Sequence, residues 1–250
     1  MIQTLSLCAE LVLDLHNLNS EGTEGNQQQT RMVHIVDKNG KRHIVNAISG
    51  DMFKHIYVEH LTPLLDGAGQ PLSTGARAFS PDRVTVDSGF REKVRGNRDG
   101  SAVQDEMLRH CAVTDIAGAL LTEGNAVPRK SCAEFGWVVG RPKATVSEQY
   151  FHVKYAPESR AKSAGQDEKG EGTVAGRQAI FHRPANSGVY ALVCHLELYR
   201  VGVNDINRKA AVDEESRRAR RLCALRALIA TLVKPAGAQW NTQHPHILDC

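Results

Sequence analysis

Apolar or small residues fill every odd position from Leu5 to Leu15, and the even positions between them are mostly polar or small. A period of two over that length specifies a strand with one buried face. Glu10 and Asp14 interrupt the apolar run and no basic leader precedes it, so the run reads as a strand and not as a secretory leader. A half-buried strand needs a cover, and the first cover comes from ISGDMFKHIYVEHLTPLL. There Ser49 suits an N-cap, Asp51 suits the first turn, and Phe53, Ile56, Tyr57, His60, Leu61 and Leu64 share one helical face. This helix is expected to end near Leu65.

Between strand and helix, HNLNSEGTEGNQQQT is polar, contains glycine and shows no period, which predicts a loop. MVHIVDKNGKRHIV reads as a hairpin turning at Lys38–Lys41, where Asn-Gly favours positive φ. Residues 66–104 are rich in Gly, Pro, Ser, Asp and Arg and predict an irregular, mobile insertion. A helix is expected within 105–121, with Leu108, Cys111, Ala112 and Ile116 on one side. Strands are expected at 131–139 and 148–155, and the almost apolar-free stretch from Pro157 to Gly176 predicts a flexible hairpin tip. Two apolar runs follow, separated by Arg183–Gly188, and Val189–Val201 is the best buried strand. The last helix opens at Asp213 with acids in its first turn, carries a stripe of Leu222, Leu225, Ile229 and Leu232, and ends before Pro235.

This order predicts an α+β fold with helices on one face of an antiparallel sheet, close to a split βαβ plan. A closing strand after the last helix is missing or very short, since only QWNTQHPHILDC remains. At 250 residues, with 41% hydrophobic and 24% charged residues, the chain can build a core without staples. No apolar window is long enough to span a membrane. The six cysteines form no CxxC pair and read as reduced cytosolic thiols, mostly in the core.

The formal charge of +3 is unevenly spread. Residues 1–150 carry 16 Lys and Arg against 18 Asp and Glu, a net of −2, whereas 151–234 carry 15 against 9, a net of +6. A basic half suits an anionic partner, and it equally suits an ordinary solvated face. The cluster Arg217, Arg218, Arg220 and Arg221 divides the same way, between a groove along a phosphate backbone and a helix face paired with Asp213, Glu214 and Glu215.

Metal chemistry has little support. His244 and His246 lack a third ligand nearby, and His55 and His60 are five apart where four would align them. The sequence holds no G-x-S-x-G, P-loop or GxGxxG, so neither an elbow nucleophile nor a nucleotide cofactor is expected. Asp14 and His16 share a predicted strand face and could do acid–base work, although a solvent-edge strand end explains them as well. Phosphate binding is better supported. Ser49 and Gly50 open a helix whose free amides favour an anion, Lys54 and His55 follow just inside, and Arg31 closes the Gly/Asn/Gln segment.

Five segments in order then resemble one family. NLNSEGTEGN with Thr30-Arg31, NAISGDMFKHIYVEHL, HCAVTDIAGAL, VPRKSCAEFGWVVG and GRQAIFHRPANSGVYAL are similar to the DevR-type backbone subunit of type I CRISPR Cascade, a member of the RAMP superfamily. The resemblance implies an RRM-like (ferredoxin-like) palm from 1–65 and 141–250, a finger-like insertion at 66–140 and a thumb-like β-hairpin at about 156–180. It also implies copies stacked as a filament along a CRISPR RNA, with other Cascade subunits beside them. Target DNA would be read by the exposed guide bases, leaving the protein to hold backbone. The implied RNA-binding residues are Asn17, Asn19, Glu21, Gly22, Thr30, Arg31, Ser49, Gly50, Lys54 and His55. Arg160, Lys162 and Arg177 are implied thumb contacts. A cytoplasmic, non-catalytic subunit without cofactor or membrane partner is the expectation, because the 17–31 segment offers no acid beyond Glu21 and Glu24 for the RNA cleavage some RAMP relatives perform. The rival from another class is a metal-independent RAMP ribonuclease using His16 or His55. A DNA-binding regulator is a third reading, without a helix-turn-helix pattern to support it.

Overall fold

The computed structural model describes residues 2–18, 20–122, 126–155, 178–234 and 246–249. The first strand, β1 (Leu5–His16), buries Ala9, Leu11 and Leu13 as the alternation requires. Its period breaks at Leu15, whose φ of 54° shifts the register with the neighbouring strand and turns His16 inward. Asp14 and His16 therefore do not share a face, which corrects the expectation of an acid–base pair. The polar stretch expected as a loop is a hairpin, β2 (Ser20–Glu24) and β3 (Gln27–Thr30). A second hairpin follows as β4 (Met32–Val36) and β5 (Arg42–Ile48), turning at the expected residues.

Helix α1 (Gly50–Gly67) starts on Ser49, whose hydroxyl accepts from the Met52 amide at 3.2 Å, and buries Phe53, Ile56, Tyr57, Val58, Leu61 and Leu65. The segment expected to be irregular is largely helical. It forms α2 (Thr74–Arg77), a 3-10 turn at Arg83–Val86, α3 (Ser88–Val94) and α4 (Gly100–His110). Ser73, Asp87 and Asp99 cap these helices through their side chains. The chain breaks at extended Cys111 before α5 (Ala112–Ala117), so the helix expected across 105–121 is two helices. Short strands β6 (Ala119–Leu121) and β7 (Val127–Arg129) pair with each other.

After β8 (Ala133–Phe135) the chain runs through two long partners, β9 (Val138–Tyr155) and β10 (Gln178–Leu196), the latter crossing Arg183–Gly188 without a break. Helix α6 (Glu214–Val233) is capped by Asp213. Its buried stripe is the expected one only in part, for Leu232 is buried and Leu225 packs against the core, but Leu222 and Ile229 are 47% and 61% exposed while Arg220, Cys223, Ala224, Ala227 and Leu228 face inward. Arg220 faces inward onto the buried Asp115 carboxylate, as described below. A four-residue closing strand, β11 (His246–Asp249), pairs antiparallel with β1, so the strand thought missing is very short.

The sheet order is β11-β1-β10-β9-β5-β4, with each neighbouring pair antiparallel. One contiguous core joins β1, α1, α3, α4, α5, β10 and α6, so the helical segment at 74–117 is fused to the rest. Tyr57 on α1 donates to the Ala224 carbonyl of α6 at 3.2 Å, locking the two covering helices together. Among the described residues, no helix is long and apolar enough to cross a membrane. Cys111, Cys132, Cys194 and Cys223 are buried as expected and Cys8 is exposed.

Candidate nucleic-acid interface

The β2–β3 hairpin is held at its base by a buried neutral network. The Leu18 amide donates to His16 Nδ1 at 3.4 Å, which leaves the imidazole proton on Nε2. That proton meets the Tyr190 hydroxyl at 2.9 Å, and Tyr190 donates onward to Asn46 Oδ1 at 2.8 Å. Asn46 Nδ2 reaches Thr30 Oγ1 at 3.0 Å, the Arg31 carbonyl at 3.2 Å and Asn186 Oδ1 at 3.2 Å. Asn186 also accepts from Ser147 at 2.6 Å and donates to the His16 carbonyl at 3.2 Å. Burial lowers the His16 pKa to about 3 and pushes the Tyr190 phenol up. His16 is thus neutral and enclosed near neutral pH, which removes it as an accessible acid–base group.

This network sorts the expected site residues. Asn17 is buried and donates to Gln28 Oε1 at 3.1 Å, and Thr30 is tied to Asn46 and Asn186, so both hold the hairpin in place. Gly22 sits at the bulge of β2 with φ +120°, a conformation that favours glycine, and its missing Cβ would meet open space. Glu21 and Arg31 form an ion pair on the outer face, and the Arg31 guanidinium lies 5.0 Å from the centre of the Trp137 ring. Trp137 is half exposed.

A second group gathers at the start of α1. Lys54 and His55 line a cleft of about 420 Å3 with Asp51, Phe79 and Arg83. The His55 and Phe79 rings meet edge to face at 4.9 Å. Arg83 donates to the Gly118 carbonyl. Burial, and then the Arg83 charge, lower the Lys54 pKa, while Asp51 and Glu134 pull it back up. Two cations thus share a half-buried cleft whose acids do not bond to them directly, an arrangement that favours an incoming anion.

Gly50 has a role that the sequence did not reveal. A Cβ there would stand 2.1 Å from the Phe135 carbonyl oxygen and 2.9 Å from that of Gly136, so glycine lets α1 abut the β8–β9 connection. Ser49 itself occupies the Met52 amide through its hydroxyl. Residues 134–137 therefore touch both groups: Glu134 acts on Lys54, Phe135 and Gly136 abut Gly50, and Trp137 underlies Arg31. Sequence reasoning missed Asn46, Trp137, Asn186, Tyr190, Phe79 and Arg83. All but the last two lie within the segments that carry the resemblance. Asn19, Arg160, Lys162 and Arg177 lie outside the described residues.

The Arg217–Arg221 cluster is in part the acid-paired helix face expected, since Arg217 and Arg221 each meet Glu214 at 2.8 Å and Arg218 is exposed. Arg220 departs from it, buried on Asp115 at 2.9 Å, and Arg217 also donates to the Val201 carbonyl at 2.9 Å. Asp115 also takes Arg129 at 2.7 Å and the Gly202 amide at 2.9 Å. Arg129 and Arg200 share Asp205 at 2.9 Å each, and Arg200 pairs with Glu197. Among the described residues no group of three or more His, Cys, Asp and Glu could hold a metal ion.

The family model described as "CRISPR-associated negative auto-regulator DevR/Csa2" matches residues 7–250. The chain belongs to the DevR/Csa2 family. Two curated relatives are similar to it over most of their length. The CRISPR-associated protein Cas7/Csa2 1 of Saccharolobus solfataricus is 25% identical over 244 residues, covering 92% of this chain and 71% of the relative. The CRISPR-associated protein Cas7/Cst2/DevR of Methanocaldococcus jannaschii is 25% identical over 254 residues, covering 96% and 77%. The DevR/Csa2 chain also shares its fold with a chain of a solved CRISPR RNA-guided surveillance complex in a pre-nicking state. There the TM-score is 0.52 at 12% identity, over 97% of this chain and 74% of that one. A second CRISPR RNA-guided surveillance complex gives a TM-score of 0.50 at 12% identity, over 97% and 66%.

Proposed function

We propose that this chain is a non-catalytic backbone subunit of a type I Cascade complex, holding a CRISPR RNA by its phosphates while copies of itself stack along the guide. The observation that carries the reading is the strip joined by residues 134–137, which runs from Arg31 on Trp137 past Gly50 to Lys54 and Arg83. It offers cations and two exposed rings along a cleft whose polar lining is mainly charged, which suits backbone holding over sequence reading. Glu21, Gly22, Arg31, Lys54 and His55 face the RNA, and Asn17 and Thr30 fix the hairpin that presents them. The sheet order β11-β1-β10-β9 with α1 and α6 as crossovers supports an RRM-like palm, and residues 66–140 serve as the finger-like insertion. Target DNA then pairs with the guide bases left free, and the other Cascade subunits flank the stack.

Binding of the purified chain to CRISPR RNA across a salt series tests this. Affinity falls steeply with salt and is the same for unrelated guide sequences. Lys54→Ala lowers it uniformly and reduces the salt slope by about one. Absence of CRISPR RNA binding at low salt overturns the reading. Discrete RNA products formed in chelator and lost in His55→Ala would move the function to the ribonuclease.

A further inference from the structure

The β4–β5 ribbon stands apart from the surface just described. Among the described residues, β5 pairs with β9 only at Ala47 and Ile48, and the pairs from Val33–Val45 to Val36–Arg42 lie beyond that junction. A two-stranded ribbon is marginal in water by itself. One face of this one shows Met32, Val36 and Ile44 at 47%, 66% and 62% exposure. His34 sits among them opposite Ile44, and Arg42 opposite Val36, so the face is aliphatic with polar groups interleaved, and such exposed apolar side chains on a ribbon held at one end call for a partner.

The charge at the tip identifies the partner's chemistry. Lys38, Lys41 and Arg42 are all exposed. Asp37, the one acid between Arg31 and Ile48, is engaged by His43 at 2.8 Å and by the amides of Asn39 and Lys41 at 2.9 and 3.0 Å. The tip therefore presents three cations against one carboxylate beside aliphatic side chains, which complements a polyanion with apolar edges. The same segment holds no Phe, Tyr or Trp on which an unpaired base could stack. A two-stranded ribbon fits the major groove of B-form DNA, where aliphatic groups meet thymine methyls; the A-form groove of duplex RNA is too deep and narrow to read.

We propose that the β4–β5 ribbon docks in the major groove of double-stranded DNA, with Lys38, Lys41 and Arg42 on phosphates and Met32, Val36 and Ile44 toward the base edges. This surface shares no residue with the RNA-facing strip, and the inference does not depend on that reading.

Fluorescence anisotropy of the full chain on a short labelled DNA duplex, an RNA duplex of the same sequence and single-stranded CRISPR RNA tests it over a salt series. DNA duplex binds more tightly than RNA duplex. Combined Lys38→Gln, Lys41→Gln and Arg42→Gln lowers the salt slope on duplex DNA by roughly three and leaves the single-stranded RNA slope unchanged. Combined Val36→Thr and Ile44→Thr, which keeps β-branched side chains, weakens duplex DNA binding without moving its slope. Equal affinity for the two duplexes, or an unmoved slope in the glutamine variant, overturns the proposal. So does a threonine variant that changes only the sedimentation coefficient, which would give the face to a second copy of this chain. Loss of RNA binding alone in the unmodified protein defeats the proposed function and leaves this one standing.

Discussion

The network beneath the β2–β3 hairpin and the cluster around Asp115 are both polar and both buried, yet the first is built from neutral groups and the second from ions. In the first, His16, Tyr190, Asn46 and Asn186 pass hydrogen bonds from one to the next, and burial keeps the imidazole uncharged. In the second, Arg129, Arg200 and Arg220 meet Asp115, Asp205 and Glu197, three charges against three. Neutral groups can be buried at the cost of partners alone, whereas ions also need balance. The neutral network borders the strip proposed to hold RNA, through Thr30 and the Arg31 carbonyl. The ionic cluster joins α5, β7, the 197–205 turn and α6, and so ties together elements distant in sequence.

The largest expected effect breaks the ionic side. Asp115→Asn keeps the shape and removes the charge, leaving the Arg129 and Arg220 guanidinia short of a counterion in the interior. A loss of about 3–5 kcal/mol is expected, read as a fall in the urea midpoint or as failure to obtain folded protein. Adding Arg220→Met removes one of the stranded charges. The double variant is then less destabilised than the two single losses summed, by roughly 0.5–3 kcal/mol. Simple additivity would show that the cluster is a set of independent contacts.

Tyr190→Phe is the matched change on the neutral side. It strands the His16 Nε2 proton and the Asn46 side-chain oxygen, and about 1–3 kcal/mol is expected. Amide exchange should quicken in β2 and β3 and stay slow in α4 and α6. Uniform acceleration across the chain would mean that the network does not act on the hairpin locally.

Acid separates the two regions without mutation. Below pH 6.5 the unfolded chain binds a proton at His16, whereas the native state excludes it until about 3. Stability present above pH 6.5 is therefore lost as pH falls through that window, by up to about 1.4 kcal/mol per unit. His16→Gln should flatten that part of the pH dependence. An unchanged acid limb would assign it to carboxylates elsewhere.

Legibility followed the same division. β1, α1 and the two edges of the long β9–β10 hairpin were open to a reading of period, because their pattern comes from one buried face. The helices at 74–110 were not, since the Ser and Asp residues that make a segment look like loop are here N-caps: Ser73, Asp87 and Asp99 each bond an amide of the following turn. The β2–β3 hairpin has no apolar period because hydrogen bonds to residues far along the chain fix it, such as Thr30 to Asn186. Half of the stripe of α6, Leu222 and Ile229, was misplaced for a related reason. Arginine is ordinarily outside, and nothing local to Arg220 announces Asp115, 105 residues away. At the site, Lys54 and Arg31 were legible as cations near a helix start and a polar turn, while Trp137 and Arg83 become neighbours only through the fold.

The smallest expected change in stability sharpens the comparison most directly. Arg31 lies beside the fixed hairpin and the packed 134–137 connection, but its own contacts are partly exposed, with Glu21 on one side and Trp137 on the other. An exposed ion pair and an exposed cation–ring contact each contribute at most about 1 kcal/mol, so Arg31→Ala should move the urea midpoint little. Its effect on RNA should match Lys54→Ala, a drop common to all sequences with the salt slope reduced by about one. Tyr190→Phe reverses the pattern, since it costs stability and retains every RNA-facing cation. A variant pair that failed to separate in this way, with Arg31→Ala as destabilising as Tyr190→Phe, would mean that Arg31 belongs to the scaffold and that the strip of cations begins only at Lys54.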